Sequence, residues 1–138
     1  MKSYLGLGTN LGDRSANIRC AIDIINEQAG HVLACSSFIE TEPWGFSSDN
    51  AFLNAVIEID TSLTPHDLLH ATQEIERAMG RAHKSLDGMY TDRIIDIDIL
   101  LYEDLKISDT ELTIPHPLIW QRSFVYGPLL EIAPQLKE

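Results

Sequence analysis

A chain of 138 residues with 44% hydrophobic side chains is long enough for one sizeable core, and residues 1–138 are expected to form a single domain. Its net charge of −11, from 21 acidic against 10 basic residues, excludes a nucleic-acid or anionic-membrane surface, because both need a basic field. The opening "MKSYLGLGTNLGDRS" lacks a signal-peptide pattern and no long uncharged apolar stretch follows, so a cytoplasmic protein is expected.

In chain order, "KSYLGLG" (2–8) predicts a short strand. Ile18, Ala21, Ile22 and Ile25 then recur at helical spacing, with Gly30 as the C-terminal cap. "HVLACSSFIET" (31–41) predicts a second strand, and "EPWGFSSDN" (42–50) a turn-rich loop. In "AFLNAVIEID" (51–60) the alternation puts Leu53, Ala55, Ile57 and Ile59 on one face and Phe52, Asn54, Val56 and Glu58 on the other. Thr64 and Pro65 make an N-cap and first-turn pair for a helix whose buried face is Leu68, Thr72, Ile75 and Met79, stopping at Gly80. A strand over 93–102, a short "LKI" strand and a proline-punctuated tail with short helical segments complete the chain. Cys20 and Cys35 have neither metal-ligand spacing nor a disulfide framework and are expected to be reduced packing residues.

The order βαββαβ predicts an α+β, ferredoxin-like fold: an antiparallel sheet with two helices on one face, plus a short C-terminal extension. The other face of the sheet is left for a site.

"TDRIIDIDILLY" (91–102) carries that site's chemistry. As a strand it points Ile95, Ile97, Ile99 and Leu101 to one side and Ile94, Asp96, Asp98, Leu100 and Tyr102 to the other. Both carboxylates thus share a face, their Cα atoms roughly 7 Å apart. Either they meet water at a half-solvated strand end, or a cation, divalent metal or arginine, sits between them. Arg77, Arg81, Lys84 and Arg93 immediately precede the pair. An aromatic ring (Phe52), an amide (Asn54), two carboxylates and nearby arginines on one face suit a planar heteroaromatic ligand beside a metal-bound polyphosphate.

Eight segments, "GLGTNLGD" (6–13), "SSFIETEPWG" (36–45), "FLNAV" (52–56), "TQEIERAMGR" (72–81), "DRIIDIDILLY" (92–102), "LTIPHP" (112–117), "QRSF" (121–124) and "PLLEIAP" (128–134), run in an order that resembles the 6-hydroxymethyl-7,8-dihydropterin pyrophosphokinase family. The resemblance implies transfer of pyrophosphate from ATP to a pterin alcohol in folate biosynthesis. It implies that Asp96 and Asp98 bind two magnesium ions and that Asp96 polarises the accepting hydroxyl. Arg81 and Arg93 match two catalytic arginines that close over the phosphates, with ordinary surface ion pairs as the alternative. Gln73, Glu76, Lys84, Thr113, His116 and Arg122 match positions lining the ATP site. His116 either contacts phosphate or is satisfied by backbone in its "PHP" turn. Phe52 and Phe124 match rings that sandwich the pterin, with core packing as the alternative; Asn54 would donate to and accept from its edge. Thr41, Pro43 and Trp44 match the loop above it. ATP and the pterin are the expected partners, with the chain acting as a monomer.

Segment 81–92, with no apolar periodicity and a central glycine, is read as a mobile lid, and 42–50 as a second. The chain departs from the family pattern at Thr91, Asp92, Ile94 and Glu111, and at His83, which stands where an ATP-contacting arginine is common; these bear on ATP affinity and lid closure. Two other classes stay open. Another two-metal enzyme, a nucleotidyl transferase or cyclase, would use paired aspartates but not the Phe52, Asn54 and Phe124 set. A ligand-sensing module would use the sheet but not the arginines and aspartates.

Overall fold

The computed structural model describes residues 1–41, 51–80 and 94–136. Strands and helices follow in the order β1 (Lys2–Thr9), α1 (Arg14–Gln28), β2 (His31–Cys35), β3 (Ile39–Thr41), β4 (Phe52–Asp60), α2 (Pro65–Gly80) and β5 (Asp96–Tyr102). A hairpin of β6 (Ile107–Ser108) and β7 (Thr113–Ile114) and helix α3 (Ser123–Ile132) come last, with 3₁₀ turns at Ile119–Gln121 and Pro134–Leu136. The main sheet is antiparallel in the order β2-β4-β1-β5, and β3 also pairs with β4. This is the expected ferredoxin-like arrangement.

Local chemistry sets the helices. Asp13 caps α1 by accepting from the Ala16 amide at 3.1 Å, and Ile18, Ala21 and Ile25 are fully buried. Thr64 Oγ1 accepts from the Asp67 amide at 3.2 Å, starting α2 as its sequence predicts, with Leu68, Thr72 and Ile75 buried. Both helices cover one face of the sheet, meeting Leu5 and Leu7 of β1, Ala55, Ile57 and Ile59 of β4 and Ile95, Ile97 and Ile99 beside and within β5. Each such aliphatic side chain, fully buried, contributes about 1.5–3 kcal/mol.

The opposite face is not left uncovered. Leu129 of α3, with Ile119 and Ala133, packs on Tyr4, Val56 and Leu100. The longest of the tail's short helical segments, the ten-residue α3, thus lies on half of this face, and the Gly6–Gly8 half stays open.

Pairing corrects four further expectations. Leu5 pairs with Ile99 but Tyr4 with Leu101, so Leu100 is a bulge. Beyond it the alternation slips: Leu101 packs with the α3 cluster and Tyr102 joins the core beneath α1 and α2. The 31–41 strand breaks at Ser36, whose hydroxyl, not a backbone carbonyl, accepts from the Val56 amide at 2.9 Å. Gly30 is needed for close approach, because a Cβ there would lie 2.8 Å from the Asp60 carbonyl oxygen; the capping residue is Ala29. The "LKI" strand is displaced to Ile107–Ser108, where β7 offers a partner. Cys20 and Cys35 are free thiols as expected, but exposed and not packed.

Candidate active site

The site begins with a gap in β1. Leu5 and Leu7 face the core, which turns positions 6 and 8 to the other face, and both are glycine. Gly8 pairs with Asn54 on one side and Asp96 on the other; Gly6 pairs likewise with Val56 and Asp98. Directly paired residues project to the same face, so the sheet carries two ranks, Asn54–Gly8–Asp96 and Val56–Gly6–Asp98. Each has nothing in its middle. The amide and the Asp96 carboxylate stand two strands, roughly 10 Å, apart across a trough floored by backbone.

That trough is the base of a cavity of about 660 Å³. Thr41 and Phe52, the last pair of the β3–β4 ladder, close one end. Gln121, Arg122, Ser123 and Phe124, leading into α3, form the facing wall, and the Arg122 guanidinium carbon lies 5.9 Å from the centre of the Phe124 ring. Asp96 is half-buried and Asp98 exposed at the opposite end.

Asn54 is held in one orientation. Its Nδ2 donates to the Ile39 carbonyl at 3.3 Å and to Thr41 Oγ1 at 3.1 Å. Both donor hydrogens are thereby engaged by β3, and Oδ1 is turned over Gly8. Asn54 thus offers the trough an acceptor, where the sequence suggested a donor and an acceptor together.

Seven residues singled out in the sequence line this one cavity: Thr41, Phe52, Asn54, Asp96, Asp98, Arg122 and Phe124. Gln73, Glu76, Thr113 and His116 do not. They stand on the elements that pack along β5: Glu76 Oε2 accepts from the Ile97 amide, between the two aspartates, at 2.7 Å. The His116 amide donates to the Leu100 carbonyl at 2.9 Å, and its Nδ1 accepts from the Leu118 amide at 3.2 Å. The backbone-satisfied reading of this histidine is thus met at Nδ1, and the neutral ring carries its proton on Nε2. Pro43, Trp44, Arg81, His83, Lys84 and Arg93, and both expected lids, lie outside the described residues. Gly6 and Gly8 carry no chemistry that residue type alone reveals; leucines alternating with glycines in "LGLG" are the signal of a strand with no side chains on one face.

A family model described as 7,8-dihydro-6-hydroxymethylpterin-pyrophosphokinase matches residues 4–134. The chain belongs to this family. It is a pyrophosphokinase, an enzyme of the transferase class, in a family that uses ATP as co-substrate. The chain is 51% identical over 134 residues to the 2-amino-4-hydroxy-6-hydroxymethyldihydropteridine pyrophosphokinase of Porphyromonas gingivalis, spanning 96% of this chain and 91% of that protein. It is 44% identical to the protein of that name from Methylorubrum extorquens, over 98% of this chain and 84% of the other. A crystal structure of a Plasmodium falciparum HPPK-DHPS superposes with a TM-score of 0.78 at 16% identity, covering 99% of this pyrophosphokinase and 40% of that longer chain. At that identity the likeness speaks to the fold. Among the described residues, no helix is long and apolar enough to cross a membrane.

Proposed function

We propose that this pyrophosphokinase moves the pyrophosphoryl group of ATP onto the hydroxymethyl oxygen of 6-hydroxymethyl-7,8-dihydropterin, with the heterocycle in the β1 trough and the phosphates over Asp96 and Asp98. In the balanced reaction the pterin oxygen bonds to the β-phosphorus of ATP. The bond from that phosphorus to the α-bridging oxygen breaks and AMP leaves. The hydroxyl proton passes to Asp96 or to water.

The observation that carries the reading is the rank Asn54–Gly8–Asp96, with an acceptor for a ring N–H at one end and a carboxylate at the other. Phe52 and Phe124 line the same cavity, and rings stacked on a flat heterocycle contribute about 1–3 kcal/mol each, by analogy with nucleic-acid bases. Thr41, with Pro43 and Trp44 beyond it, is assigned to the pterin end. Gln73, Glu76, Arg81, His83, Lys84, Arg93, Thr113, His116 and Arg122 are assigned to ATP, Arg81 and Arg93 acting on the transferred group. Positioning and charge stabilisation carry such a transfer, since little covalent chemistry is asked of the protein.

Asp96 and Asp98 are assigned to two magnesium ions. Among the described residues no three His, Cys, Asp or Glu side chains gather as a cage. Two carboxylates on one strand face nevertheless fit magnesium, which usually takes one or two carboxylates and completes its shell with water and substrate phosphate. When bound, the ions neutralise charge building on the transferred group. We further assign the protein to the cytoplasm as a monomer, with residues 1–138 acting as one domain.

The test is AMP release from ATP that requires both the pterin alcohol and magnesium. Pyrophosphate release without the pterin would indicate a nucleotidyl transferase or cyclase. Pterin binding with no turnover would indicate a sensing module.

A further inference from the structure

The first residue of α1 reaches both ends of the β3–β4 connection. Arg14 Nη1 donates to the Ala51 carbonyl at 2.7 Å, and Nη2 donates to Glu40 Oε2 at 2.5 Å. Ala51 immediately precedes Phe52 and Glu40 immediately precedes Thr41, and Thr41–Phe52 is the last pair of the ladder. We propose that Arg14 is a positioning residue for the pterin-binding end of the cavity, acting through Thr41, Phe52 and Asn54. This rests on the assignment of those three residues to the pterin.

The chain of contacts is short. Helix α1 is rigidly placed, its start capped by Asp13 and Ile18, Ala21 and Ile25 fully buried. The planar guanidinium fork carries that placement to two acceptors on two strand ends, which an ammonium on a flexible stem could not fix together. The strand it fixes is short: β3 has three residues and, among the described residues, its strand pairing is with β4, while α3 holds it from the other side through the Ser37–Glu131 bonds just before it. Ile39 and Thr41 of this short strand supply both acceptors that orient the Asn54 amide. Movement of β3 therefore frees Asn54 to rotate and removes Oδ1 from the trough. Asp96 and Asp98 sit on β5, beyond β1 from β4, and share none of these bonds.

Pterin and nucleotide affinity should therefore separate. The Arg14 and Glu40 side chains are 30% and 58% exposed, so losing the pair should barely change the melting temperature. Arg14→Met is expected to raise the KM for the pterin roughly tenfold, the equivalent of about one lost hydrogen bond, with the KM for ATP within about twofold of wild type. Arg14→Lys should fall between, and Glu40→Gln, which keeps an acceptor, should be milder. Adding Glu40→Gln to Arg14→Met should make nothing worse, because the contact is already gone.

Steady-state kinetics with each substrate varied, alongside thermal melts and an Asn54→Ala control, decide it. An unchanged pterin KM in Arg14→Met and Arg14→Lys, or equal rises in both KM values, overturns the role of Arg14 if Asn54→Ala still weakens the pterin selectively. If Asn54→Ala has no such effect, the assignment of the cavity fails and the proposal fails with it.

Discussion

Gly8 stands opposite Asn54 in the β1–β4 ladder, so close that a Cβ built on Gly8 would meet Asn54 Oδ1 at 3.1 Å. Asn54 Oδ1 would have to give by a few tenths of an ångström, against the two bonds that hold Nδ2 to β3. Gly8→Ala should therefore displace the acceptor and raise the pterin KM on the order of tenfold, with a smaller effect on ATP. Gly6→Ala should act less, because its Cβ would meet Leu100 side-chain atoms at an ordinary 3.5 Å, and alanine also suits a strand better than glycine. Isothermal titration of pterin and of an ATP analogue on both variants checks the ranking; a larger pterin loss in Gly6→Ala would contradict it.

These glycines also mark where sequence legibility ends. The β4 alternation is readable in full because one face packs on α1 and α2 while the other carries Phe52 and Asn54 into the cavity and Val56 and Glu58 beneath α3, giving a strict period of two. The same rule applied to β5 holds through Ile99 and then fails, since the bulge at Leu100 is set by pairing with β1, which no local pattern encodes. Ser36 misleads in the same way: its hydroxyl substitutes for a ladder carbonyl only because Val56 lies opposite. In the tail the short helical segments are as expected, but Pro128 lies inside the longest of them, a ten-residue helix whose packing on Tyr4, Val56 and Leu100 outweighs the missing backbone donor. Charged and aromatic site residues were legible by type, but the trough between them is made by absent side chains.

Asp98 is exposed, so its replacement should cost little fold stability. Asp98→Asn removes one of two like charges at the end of the cavity proposed for the phosphates, and its metal-free melting temperature should be unchanged or slightly raised. Magnesium-dependent turnover should fall on the order of a hundredfold or more, since charge neutralisation on the transferred group is lost. Near-normal activity at all magnesium concentrations would remove Asp98 from the metal assignment.

Tyr4 lies beneath α3 and donates to Glu58 Oε2 at 3.0 Å. Burial first, and then the hydrogen bond and charge of Glu58, push its phenol up to about 12. A folded-state value above the unfolded one gives stability that is complete below the unfolded value of about 10 and lost as pH rises through the folded value. Stability should thus decline between about pH 10 and 12. Burial also raises Tyr102, so the Tyr4→Phe variant should lose part of that decline and not all of it. Denaturant melts across this window, with phenolate absorbance followed in parallel, check the sign; identical pH profiles for the two proteins would show that Tyr4 is not the group responsible.

His116 allows the sharpest separation of structure from binding, because its two ring nitrogens have different work. Nδ1 accepts from the Leu118 amide, which fixes the turn that leads towards α3, whereas Nε2 carries the proton of the neutral ring and is the atom available to donate to a phosphate oxygen. Asparagine places an acceptor where Nδ1 was and does not reach as far as Nε2. Glutamine reaches the Nε2 position and gives up the short bond to Leu118. If His116 binds nucleotide, His116→Asn should keep near-normal thermal stability and lose about tenfold or more in ATP affinity, as expected for one bond to a charged group. His116→Gln should do the reverse, binding ATP better than His116→Asn while melting earlier. Calorimetric ATP-analogue binding and melts on both variants read the two axes independently. Should His116→Asn bind the analogue as tightly as wild type, the histidine serves the turn alone, and its place among the ATP-binding residues is lost.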